Sequence, residues 1–195
     1  MVKISKEELT NIKENLILQK IGIRLKITNS QTWMTTHIIS FDVKNIGRTK
    51  VPNIFYGLAG DIEKDFSDLN ISVKDSKGNH LDIVNIALET RLIKHFLVKL
   101  KKPLGPGNKI DKVQLKYDWE EPLRNYSWEV SSICKKFSVV LLIPLEVEPK
   151  IRFFKRAKKG EKEILQPKTT IKKKYRQIIW EGKNLLPYDE LTFFW

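Results

Sequence analysis

The side chains of this 195-residue chain that could do covalent or metal chemistry are few. His37, His80 and His95 fall in three separate strand-like stretches, without HxH or HxxxH spacing. A metal site would need the fold to gather them, so they read as strand-surface or core histidines. Cys134 is the only cysteine. A lone thiol forms no intramolecular disulfide and no CxxC zinc knuckle. Lys135 and Lys136 flank it with charge but no base, so it reads as a buried structural thiol.

Two acidic groupings have suggestive spacing. Asp61, Glu63 and Asp65 match positions one, three and five of a calcium loop. Phe66 then stands where that loop needs glycine, and Ser72 where it needs a bidentate glutamate. The stretch reads as a solvated loop. Glu148-Pro149-Lys150 follows Asp118 in the manner of a metal-dependent nuclease, but Pro149 breaks the strand that must present the triplet. GxSxG, GxGxxG and GxxxxGK[ST] patterns are absent from the sequence. Gly105-Pro106-Gly107 is a turn, because proline lacks the N–H a phosphate loop uses. No catalytic residue, metal ligand or cofactor is expected.

Two stretches are better suited to binding. Tyr117, Trp119, Tyr126 and Trp128 flank Glu120-Glu121-Pro122. Such rings usually fill a core, and a stacking platform built on Trp119 and Trp128 is the functional reading. The acids Asp118, Glu120, Glu121 and Glu129 around them would repel phosphates. The second stretch is basic. Formal net charge is +13, and residues 150–176 carry 12 basic side chains against two acids. Outside that stretch the balance is close to even, 24 basic to 21 acidic. Lys155, Arg156, Lys158, Lys159, Lys162, Lys172, Lys173, Lys174 and Arg176 are the candidate contacts to nucleic acid, anionic lipid or another polyanion. The competing reading is a lysine-rich, edge-protecting loop. Phe153 and Phe154 lie beside these cations, but adjacent residues of a strand point to opposite faces, so one ring at most could stack on a base.

Period-two alternation identifies the elements that must position these groups. Ile21, Ile23, Leu25 and Ile27 alternate with Gly22, Arg24, Lys26 and Thr28, as a half-buried strand does. Comparable strands are predicted over 35–45, 51–58, 69–74, 80–88, 91–100, 110–119, 136–148, 151–156, 170–180 and 190–195. The apolar centre Val139–Ile143 marks a buried central strand. Asp75-Ser76-Lys77-Gly78-Asn79 predicts a hairpin loop, and Pro103-Leu104-Gly105-Pro106-Gly107-Asn108 a sharp turn. Ser5 with Glu8 forms a capping-box pattern, so a short helix is predicted over 5–16.

Short strands without alternating helices exclude a βαβ fold. The expected fold class is all-β: a two-sheet antiparallel β-sandwich, immunoglobulin-like, with a jelly roll or open barrel as second choice. Residues 1–18 form the N-terminal helical segment and 19–195 the sandwich domain. The expectation is a non-enzymatic binding or regulatory module, its partner an unidentified protein or a second copy of the chain. The alternatives are a nucleic-acid-binding protein using 150–176 and, third, a metal-dependent hydrolase with a dispersed site. The apolar runs are too short to span a bilayer, and a cytoplasmic location is expected.

Overall fold

The computed structural model describes residue 12, residues 15–157, residue 160 and residues 162–195, apart from the side chains at 85 and 87–89. The helix expected over 5–16 falls largely outside the described residues, and the first strand begins at Leu16.

Fourteen strands are described: β1 Leu16–Asn29, β2 Met34–Asn45, β3 Val51–Ala59, β4 Ser72–Lys74, β5 Ile83–Glu89, β6 Ile93–Leu104, β7 Lys109–Glu120, β8 Asn125–Glu129, β9 Cys134–Pro144, β10 Arg152–Arg156, β11 Lys162–Leu165, β12 Lys168–Lys172, β13 Tyr175–Leu185 and β14 Glu190–Phe194. They form an all-β sandwich. One layer is a seven-stranded sheet in the order β12-β13-β9-β1-β2-β7-β4. The other layer is divided between a four-stranded sheet, β11-β10-β14-β8, and a three-stranded sheet, β3-β6-β5. Pairing is antiparallel except between β1 and β9.

One parity of residues explains the core. Odd-numbered positions of β1, β2, β7 and β9 face inward, and the register stacks them in rows across the sheet. Val139, Ile23, Ile39 and Leu115 form one row; Leu141, Leu25, His37 and Tyr117 form the next. All eight are buried. A period of two on paired strands delivers such rows directly. Aromatic rings join the layers. Phe137 of β9 lies 6.4 Å from Phe193 of β14, which meets Phe153 of β10 edge-on at 4.7 Å. Phe41 of β2 meets Tyr56 of β3 at 5.4 Å. Trp119, Cys134 and Val139 are fully buried. Burial pushes the Cys134 thiol up to about 11.

The 75–79 loop differs from the expected hairpin. The turn forms, with the Asp75 N–H donating to the Asn79 carbonyl at 2.9 Å. An isolated Lys74–His80 bridge closes it. β4 then pairs with β7 in the large sheet, while β5 pairs with β6 in the small one. Local turn chemistry is satisfied, and the flanking strands separate because each finds its long partner elsewhere. Among the described residues no helix is long and apolar enough to cross a membrane.

Candidate functional site

The division of the second layer creates the site. β8 is an edge of the four-stranded sheet, and β3 is an edge of the three-stranded one. Both line an open cavity of about 710 Å³, floored by Ile39, Phe41, Leu115 and Tyr117 of the large sheet. That volume is in the range of small-molecule sites. Four aromatic residues are part of its walls: Phe55 and Tyr56 from β3, Tyr126 and Trp128 from β8. Trp128 packs 5.9 Å from Phe41 on one side, and Tyr56 packs against Phe41 on the other. Gly60 is required at the rim. A Cβ there would lie 2.3 Å from Cε2 of Trp119, whose Nε1 donates to the Ile62 carbonyl at 2.7 Å.

One end of the cavity is a polar network set into the core. Glu121 and Asp61 line it. Behind them the His37 Nε2 lies 3.0 Å from Glu121 Oε1, with both side chains buried. The His37 ring stacks on Tyr117 at 4.3 Å and 3°. Tyr117 in turn hydrogen-bonds Tyr126. Burial lowers the His37 imidazole to about 3. Burial first, and then the Asp61 carboxyl beside it, raises Glu121 to about 9. Burial thus favours the neutral form of both groups near pH 7, and the Glu121 carboxyl shares a hydrogen bond with Asp61. Burial also raises Tyr56, Tyr117 and Tyr126. The loop bearing Glu121 is tied down: its N–H donates to the Trp33 carbonyl at 3.1 Å, and the Leu123 N–H donates to Asp61 Oδ2 at 3.0 Å.

No protein-family model matches the chain, and no curated protein matches it. Its fold is similar to parts of several solved structures. A proposed protease from Parabacteroides distasonis ATCC 8503 matches with a TM-score of 0.58 at 9% identity, over 93% of this chain and 41% of that one. An M1 zinc metallopeptidase from Deinococcus radiodurans matches with a TM-score of 0.57 at 12% identity, over 92% of this chain and 42% of that one. A proposed nutrient-binding protein from Legionella pneumophila matches with a TM-score of 0.51 at 12% identity, over 92% of this chain and 67% of that one. The chain spans about two fifths of the length of the first two. At such identities the likeness is one of fold alone.

The residues singled out in the sequence are dispersed. His37 is in the core beside the cavity, His95 lines it from β6, and His80 sits in the bridge to Lys74. Among the described residues no group of three or more His, Cys, Asp or Glu side chains could hold a metal ion. Asp118 accepts from the Thr36 hydroxyl at 2.6 Å, whereas Glu148 pairs with Arg176 at 3.6 Å. Trp119 is buried and presents no face to a ligand, while Trp128 forms part of the cavity wall.

The basic segment divides between two sheets. β10 and β11 belong to the four-stranded sheet, and β12 and β13 to the seven-stranded one. Lys155 pairs with the buried Asp189 at 3.4 Å, and Arg156 with Glu190 at 3.7 Å. Lys162 covers the Phe154 ring at 3.8 Å. Phe153 points into the core and Phe154 outward, half-buried. Arg176 donates to the Val147 carbonyl at 3.0 Å and reaches Glu148. Lys172, Lys173 and Lys174 are exposed around the β12–β13 turn. Lys158 and Lys159 lie outside the described residues.

Sequence reading missed the Glu121–His37–Tyr117 cluster. A signal for it exists: His37 and Tyr117 occupy inward parity on their strands, where a purely structural strand places aliphatic residues.

Proposed function

We propose that this chain is a non-enzymatic β-sandwich binding module whose ligand occupies the cavity between β3 and β8. The observation that carries the reading is the cavity itself: an open space of about 710 Å³ with aromatic and aliphatic residues in its lining. Native interiors close voids larger than a water molecule, because unfilled space forfeits dispersion contacts. A retained cavity of this size with an apolar lining and polar groups at one end is the ordinary form of a ligand site. The likeness to portions of longer chains is in keeping with a module used within larger assemblies.

The neutral, environment-sensitive dye N-phenyl-1-naphthylamine tests this reading. Fluorescence should rise saturably with one dye per chain. Ser132 lines the cavity and is half-exposed, so Ser132→Trp would place an indole in the space without altering the core. Dye affinity should fall at least tenfold in S132W with the melting temperature little changed. Absence of saturable dye binding, or equal binding by S132W, would overturn the proposal.

The second reading, nucleic-acid binding through 150–176, draws on the cations that are exposed among the described residues, Lys172, Lys173 and Lys174 together with Lys150, Arg152 and Lys168. Lys155, Arg156 and Arg176 are engaged in ion pairs within the fold, which leaves a smaller cationic surface than the composition suggests.

A further inference from the structure

The side of the seven-stranded sheet turned away from the cavity has a charge layout that sequence arithmetic hides. Even-numbered positions of β1, β2 and β9, and of β7 from Gln114 onward, face outward, opposite to the buried parity. The register aligns them in ranks across the sheet. One rank runs Lys168, Ile179, Val140, Arg24, Ile38 and Lys116, from β12 to β7. Arg24 on the central strand and Lys116 on β7 are exposed, so the face is open to solvent at its middle. Lys26 lies one rank along, between Leu142 and Thr36. Toward the other end Lys136 stands opposite Lys183, and both are exposed.

Among the described residues, the acids on this parity are Asp42, Asp118, Glu120 and Glu181. Most are already engaged. Asp42 accepts from the Lys112 N–H at 2.8 Å, Asp118 from the Thr36 hydroxyl at 2.6 Å, and Glu120 pairs with Lys64 at 2.7 Å. The outward side of the four-stranded sheet is mixed instead: Arg156 pairs with Glu190, which stands opposite Glu129. Cations from a nearly balanced stretch of sequence are thus gathered on one sheet face by strand register.

We propose that this face binds an anionic lipid surface peripherally, with the sheet laid against the headgroups. Each exposed Lys or Arg near such a surface gains from its negative potential, and the gains accumulate over a cluster. The cations here are dispersed over several strands on long flexible stems. A fluid leaflet supplies headgroups wherever those stems reach, whereas a folded acidic partner must hold its acids at fixed matching positions. Nucleic acid on a sheet face is held in part by rings that stack on bases. Tyr175, which shares this face, is half-buried with the Lys26 ammonium 5.2 Å from the centre of its ring. A second copy of the same face would be repelled by like charge. The face and the cavity lie on opposite sides of the large sheet, so lipid binding does not depend on what the cavity holds.

Flotation of the whole chain with vesicles tests the proposal. The two compositions are phosphatidylcholine alone and phosphatidylcholine with about one third phosphatidylserine. Binding to the anionic vesicles should be tighter by about tenfold or more, with the difference shrinking as salt rises. The triple substitution Arg24→Gln, Lys116→Gln and Lys136→Gln should weaken that binding by about tenfold or more. All three sites are exposed strand positions, so the melting temperature should stay close to that of the wild type. Should the triple variant melt early, Arg24→Gln and Lys116→Gln taken singly carry the same comparison, each with a loss of about fivefold. An equal charge change in the other layer, Lys99→Gln, Lys102→Gln and Arg152→Gln, should weaken binding by less than about threefold. Equal binding to both kinds of vesicle, or equal loss in the two triple variants, would overturn the proposal. DNA binding that is lost in the face variant, by a chain that ignores the anionic vesicles, would assign the face to nucleic acid instead.

Discussion

His37 and Glu121 lie 3.0 Å apart with both side chains buried, and burial favours the neutral form of each. The consequence is a pH signature with two limbs. Glu121 has a folded value of about 9 against 4.5 for an ordinary glutamate, so the folded chain holds the extra proton between those limits and stability falls as pH rises through them. His37 has a folded value of about 3 against 6.5, so the unfolded chain holds the extra proton there and stability falls as pH drops through that window. Between 4.5 and 6.5 the two slopes oppose each other and cancel. Wild-type stability should therefore be level across that range and decline on either side. From pH 6.5 to 9 the loss should be on the order of 3 kcal/mol. Glu121→Gln keeps the size of the side chain but cannot ionise, so it should flatten the alkaline limb. Calorimetric melting temperatures from pH 5 to 9 check this, and an E121Q protein with the wild-type slope would contradict a neutral, protonated Glu121. Glu121 was visible in the sequence only as one acid among several beside aromatic residues. Its neutrality follows from burial, which no sequence pattern reports.

At the scale of elements, what was legible were strands with one wet and one dry face. Ile21 to Ile27 and Ile110 to Trp119 announce themselves by alternation, and both are paired strands of the large sheet. The predicted strands omit β8 and β11, and the one over 170–180 runs the end of β12 into β13 without the turn between them. β12 is exposed at every residue, so it has no hydrophobic period to detect, and it exists because β13 offers a ladder of partners. Turn residues were legible too, but not what they tie together. Asn45 ends β2 as expected, and it is also fully buried at a junction. Its Nδ2 donates to the Thr49 carbonyl at 2.8 Å and the Leu104 carbonyl at 2.7 Å, and its Oδ1 accepts from the Gly47 N–H at 2.8 Å. One side chain thereby fastens the β2–β3 turn to the end of β6. Asn45→Ala leaves those groups unpaired and should cost about 2–4 kcal/mol. Asn45→Asp, which cannot donate to either carbonyl, should not restore the loss. Urea denaturation of the two variants measures both; a change below about 1 kcal/mol in N45A would contradict the assigned role.

The whole molecule turns a basic chain into something less simply basic. Sequence arithmetic places most of the +13 in residues 150–176, and folding splits that segment over two sheets and pairs several of its cations. Lys172, Lys173 and Lys174 remain exposed at the end of an edge strand, where charge deters pairing with another chain. Replacing the three with serine should change stability by no more than about 0.5 kcal/mol. Titration with single- and double-stranded DNA at two salt concentrations should show weak binding whose salt dependence barely changes in the triple variant. A steep dependence in the wild type that flattens in the variant would favour the nucleic-acid reading instead. The all-β sandwich, its inward-facing parity and the location of its charge were legible in the sequence, because all three are local properties of alternation and composition. Only long-range pairing settles that the second layer is two sheets, and that the edges β3 and β8 line one cavity with Asp61 and Glu121 at its end. Strand pairing between residues far apart in the chain sets where sheets end, and the space left between two such ends has no counterpart in any single stretch of sequence.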